Sequence, residues 1–182
     1  MDLSKQRGAS LLQIWKNAVG RLDDPVTQTA AREMIGRIWE EWSKRKAKDQ
    51  WFPWPSTDAP LGDEPINSNS WPEEGMLSAL GYHVGITHGV SASLRRRILR
   101  EIVDGELPPL NSHEYTAEWG EPGTADRLRK LAETIASLTR NEKRRRQVSL
   151  QRAIDEREAD LRMLRDEYYV GEFNFGWPDT GI

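Results

Sequence analysis

A chain of 182 residues with 30% charged residues and a net charge of −3 is sized for one main domain or a small domain with an appendage. The absence of cysteine excludes disulfides, thiolate metal sites and a cysteine nucleophile. The negative balance excludes a global basic field, so any affinity for a polyanion must come from a local patch.

The opening Met1-Asp2-Leu3-Ser4-Lys5-Gln6-Arg7 is polar with no apolar run behind it. No stretch approaches the roughly 20 apolar residues of a membrane helix, so a cytoplasmic protein with no membrane partner is expected. Leu11, Leu12, Trp15, Ala18, Val19 and Leu22 fall on one side of a helix over residues 9–20. Asp24 is placed to cap a second helix with Pro25 at its first position. Along that helix Ala31, Met34, Ile35, Ile38, Trp39 and Trp42 share a face. The short connection predicts an αα-hairpin. Two helices bury too little to stand alone, so the hairpin docks on the rest of the chain or on a second molecule, and compactness favours the former. It closes in Lys44-Arg45-Lys46-Ala47-Lys48, which complements the negative end of the helix dipole.

From Trp51 to Pro72 the composition changes: proline-rich, aromatic at both ends, and without Lys or Arg. Eight tryptophans in so charged a chain imply either a tryptophan-pinned core or rings used for binding. An irregular strap of this length is a linker or a functional segment. Either its rings plug the protein's own grooves, or Trp51, Phe52 and Trp54 dock on a protein partner.

A short helix is predicted over residues 73–80, stopped by Gly81. The stretch that draws attention next is Gly85-Ile86-Thr87-His88-Gly89-Val90-Ser91, running into Ala92-Ser93-Leu94-Arg95-Arg96-Arg97-Ile98-Leu99-Arg100. Ser91 is a good N-cap, and no acid follows until Glu101, so the first turn keeps its N–H groups and positive dipole end unopposed. Leu94, Ile98, Leu99, Ile102 and Val103 form an apolar face that includes Arg95. Arg95 should therefore be partly buried with its head on a carboxylate, whereas Arg96, Arg97 and Arg100 point to solvent or to a partner. The stretch lacks the Gly-Lys-Ser/Thr ending of a nucleotide-binding P-loop.

Ser112 can cap a short helix through Trp119, and Thr124 a longer one in which Leu128, Leu131, Ile135 and Leu138 repeat, ending in Lys143-Arg144-Arg145-Arg146. A last helix over residues 149–169 carries Leu150, Ile154, Leu161, Leu164 and Tyr168 in a stripe interrupted by Arg157, which requires a carboxylate from another helix. Phe173, Phe175 and Trp177 alternate as in an extended segment laid on the core.

The fold is therefore expected to be mainly α: a hairpin over 1–50, a Trp/Pro-rich strap over 51–72, and a compact helical domain of about four to five helices over 73–182. His83, His88 and His113 fit no zinc-finger spacing, and no cofactor or catalytic motif is present. The expected function is a non-enzymatic, regulatory or accessory module that contacts DNA or RNA phosphates. Its candidate residues are Gly89, Ser91, Ser93, Arg96, Arg97, Arg100, Lys143, Arg144, Arg145 and Arg146, with Lys130 as an addition. The alternative is a protein-protein adaptor or self-associating chain that docks through the strap and hairpin. A third, weaker reading is an enzyme built on His88, His113 and Glu114.

Overall fold

The computed structural model describes residues 1–53 and 75–181. Within them the chain is mainly α, with seven α-helices and no strand, and no helix is long and apolar enough to cross a membrane. The strap from Trp54 onward, with Trp71, lies outside the described residues. The helices gather in two compact units, Met1–Gly81 with Leu107–Thr116, and Tyr82–Glu106 with Ala117–Ile182.

In the first unit, α1 (Gly8–Gly20) and α2 (Gln28–Ala47) form the hairpin that the apolar spacing predicts. Leu11, Leu12, Trp15, Ala18 and Val19 are buried on α1, and Ala31, Ile35, Ile38 and Trp42 on α2. The Trp15 and Trp42 rings meet with centroids 6.1 Å apart. The start of α2 differs from expectation. Asp24 does not cap it; its carboxylate accepts from the Val26 N–H at 2.9 Å and shapes a turn, so α2 begins at Gln28. A carboxylate that satisfies a turn amide two residues on competes directly with the N-cap role.

Phe52 joins this unit through its backbone and its ring. Its N–H donates to Pro109 O at 2.6 Å and its carbonyl accepts from the Asn111 N–H at 2.8 Å. Its ring lies where a Cβ on Gly8 would be only 2.5 Å away, and the Arg45 guanidinium sits 5.3 Å from the ring centroid. Two short helices complete the set, α3 (Met76–Ala79) and α5 (His113–Ala117), the latter shorter than the expected run to Trp119.

In the second unit, α4 (Ala92–Asp104), α6 (Ala125–Arg145) and α7 (Gln151–Leu164) pack through their apolar stripes, and α7 runs on into a π-helical turn at Arg165–Tyr169. Ile98, Leu99 and Ile102 of α4, Leu128, Leu131 and Ile135 of α6, and Ile154, Leu161 and Leu164 of α7 are all buried. Side-chain pairs fix the helix directions. Arg95 pairs with Asp160 and Arg100 with Glu167, so α4 and α7 run parallel. Arg157 of α7 bonds Glu142 of α6, the carboxylate from another helix that its place in the stripe requires. The Arg127 guanidinium, near the start of α6, donates to Ile102 O and Gly105 O at the end of α4, so these two helices are antiparallel. The start of α4, the end of α6 and the start of α7 therefore lie at one end of the second unit.

Candidate functional site

The Gly-rich loop enters α4 as its sequence suggests. Ser91 caps the helix, its hydroxyl accepting from the Leu94 N–H at 3.3 Å. The Ala92 and Ser93 N–H groups have no intrahelical acceptor, both residues are exposed, and the first turn carries no acid. Close approach demands glycine at position 89, since a Cβ there would stand 2.1 Å from the Gly85 carbonyl oxygen.

A buried polar cluster holds this loop. Arg95 donates through Nε to Asp160 Oδ2 at 2.8 Å and through Nη1 to the Val90 carbonyl at 2.8 Å. Tyr82 donates its hydroxyl to the same Asp160 oxygen at 2.9 Å, and Glu156 accepts the Gly85 N–H at 2.8 Å. Asp160 is 0% exposed. Burial raises its carboxyl above the usual range, against the lowering exerted by Arg95, and burial together with Asp160 pushes the Tyr82 phenol well up. Arg95 meets a carboxylate as its place in the apolar face requires, but it is buried rather than partly buried, and its partners are two acids one helical turn apart on α7.

The remaining arginines divide. Arg96 is exposed and makes no ion pair among the described residues, although its charge bears on Glu167 and Asp160. Arg97 is half-buried, and burial lowers its guanidinium from the ordinary value. Arg100 differs from its expected role: both carboxylate oxygens of Glu167 accept from it, at 2.8 and 2.7 Å, so its charge is neutralised within the unit. Lys143 is likewise engaged, with Glu158 at 2.6 Å and the Thr180 carbonyl at 3.0 Å, and Lys130 pairs with Glu118 at 2.7 Å.

Arg144, Arg145 and Arg146 are exposed where α6 ends, and none forms an ion pair among the described residues. Arg146 adopts a left-handed backbone with φ 51° that reverses the chain. Beside it, Lys143, Arg146, Gln147 and Gln151 line part of an open cavity of about 310 Å³. Parallel α4 and antiparallel α6 thus bring Ser91, Ser93 and Gly89 to the same end of the unit as Arg144–Arg146, while Arg100 stands about two turns further along α4.

The other sequence candidates sit elsewhere. Trp51 is half-buried, its ring 5.9 Å from His113. Phe52 is 5% exposed and turned into its own unit. Trp54 lies outside the described residues. His88 belongs to the second unit, His113 and Glu114 to the first, and no group of three metal-ligating residues occurs among the described residues.

Sequence reasoning missed Asp160, Glu156 and Tyr82. The signal for Asp160 was present: it stands three residues after Arg157 and directly before Leu161, on the inward side of α7. Set beside known protein families, curated proteins and solved structures, the chain matches none.

Proposed function

We propose that this chain is a non-enzymatic module that binds the phosphate backbone of nucleic acid, in a cytoplasmic regulatory or accessory role. One observation carries the reading. Three exposed arginines at the end of α6 share an end of the second unit with the acid-free first turn of α4. Guanidinium groups and helix N–H groups both favour phosphate oxygens, and their arrangement supports contacts to the backbone rather than to base edges.

Because the chain as a whole is negative, binding is local and sensitive to salt. With Arg144, Arg145 and Arg146 each neutralising one phosphate, the slope of log affinity against log salt on duplex DNA is about −2.7, and affinity falls roughly 40-fold between 50 and 200 mM salt. Replacing all three arginines by glutamate is expected to abolish retardation of a short DNA or RNA at 50 mM salt while leaving the circular dichroism unchanged. Wild-type protein that retards neither polymer at low salt ends the proposal.

A further inference from the structure

Two large aliphatic side chains stand out from the same end of the second unit. Val148 is 91% exposed and Ile86 is 71% exposed. Neither hangs from loose chain. Val148 opens a 3-10 turn, Val148–Leu150, closed by the Leu150 N–H on Gln147 O at 3.0 Å. Ile86 follows Gly85, whose N–H is fixed by Glu156 and whose carbonyl is packed against Gly89.

Val148 comes two residues after Arg146 and lines the cavity with Gln151 and Ile154, whereas Gly85 lies against Ala153. Both aliphatic groups therefore lie near the first turns of α7. Arg144, Arg145 and Arg146 stand just before Val148, while on α7 Arg152 is paired with Glu156, Arg157 with Glu142, and the exposed Asp155 accepts from Gln151.

We infer that Val148 and Ile86 are apolar wedges that insert against the bases of the nucleic acid whose phosphates the arginines hold. A base step offers an apolar face flanked by phosphates, which complements aliphatic tips at an arginine-bearing end of the unit, and side chains of this class unstack steps in groove-binding proteins. This inference rests on the nucleic-acid reading and adds to it a contribution that salt does not screen.

The test uses the full chain, a 20-base-pair DNA carrying 2-aminopurine near its centre, and the variants Ile86→Ser, Val148→Ser and their combination. Both positions are exposed, so folding should change little. The double variant is expected to bind about 5–10-fold more weakly at every salt concentration with the slope unchanged. The rise in 2-aminopurine fluorescence that wild-type protein causes should be lost with it. Equal affinity for wild type and double variant, with no fluorescence rise for either, overturns the wedge and leaves phosphate binding standing. Absence of any binding by wild type overturns both. Serine-sensitive binding to phosphatidylglycerol vesicles, with DNA affinity unaffected by the substitutions, assigns the aliphatic tips to a lipid surface and refutes the wedge.

Discussion

Arg95→Leu is expected to destabilise the second unit by about 3–5 kcal/mol, the usual penalty for stripping a buried carboxylate of its cation. Asp160 is completely buried, both of its hydrogen bonds fall on Oδ2, and Oδ1 accepts none among the described residues. Leucine fills part of the space but leaves the carboxylate with the Tyr82 hydroxyl alone. It also releases the Val90 carbonyl, so the loop in front of α4 should loosen.

The pH dependence has a definite sign. Burial already raises the Asp160 carboxyl, and without Arg95 less opposes that rise. An acid whose folded-state value is raised binds its proton more tightly when folded, so the variant's stability falls as pH climbs from about 4 through the folded-state value. Urea unfolding followed across this range should show the smallest deficit at the acid end. Arg95→Leu with Asp160→Leu should recover most of the loss, because the pair is then removed rather than broken. A single variant with the wild-type urea midpoint at neutral pH would mean that the cluster does not hold the loop.

A comparable loss is expected at Arg127, to which no carboxylate is bonded among the described residues. Its side chain is 2% exposed, and burial pushes it down to about 10, so it stays charged at neutral pH. Instead of an acid it serves four backbone carbonyls. Nε donates to Trp119 O at 3.0 Å and Gly120 O at 3.2 Å, Nη1 to Ile102 O at 2.6 Å and Gly105 O at 2.8 Å, and Nη2 to Gly120 O at 2.8 Å. One planar fork thus satisfies the orphan carbonyls where α4 ends and ties them to the turn leading to α6.

Arg127→Met keeps the apolar stem and abandons all four carbonyls, each costing about 1–3 kcal/mol when left buried and unpaired. Local relaxation offsets part of this, and a net loss of about 3–5 kcal/mol is expected. Arg127→Lys should lie between, since an ammonium reaches fewer of these oxygens. Hydrogen exchange distinguishes the account from a general loosening: amides of residues 102–105 and 119–123 should lose protection first. Uniform loss of protection across the unit would contradict it.

The helices and their inward faces were legible because apolar spacing at 3 and 4 residues is a local signal. Ser91, Thr124, Gly81 and Gly120 punctuate the chain by their own chemistry, and the buried Arg95 and half-buried Arg157 could be read from their places inside apolar stripes. Partnership across the fold was not legible. Nothing local marks Glu167 as the acid for Arg100 or Glu158 as the acid for Lys143, because these pairs depend on which face of α7 meets α4 and which meets α6. Asp24 illustrates a different failure, a residue suited equally to a helix cap and a turn, where the turn wins. Of the proposed site, its two ends could be named from the sequence; their meeting needed the parallel and antiparallel packing of three helices.

That meeting is tested most directly by titrating isotope-labelled full chain with a short DNA duplex at low salt and following backbone amide resonances. The account predicts that Ala92 and Ser93 shift together with Arg144, Arg145 and Arg146, along one binding curve, while the amide of Arg100 stays in place. Shifts confined to one of the two helix ends, or centred on Arg100, would contradict it.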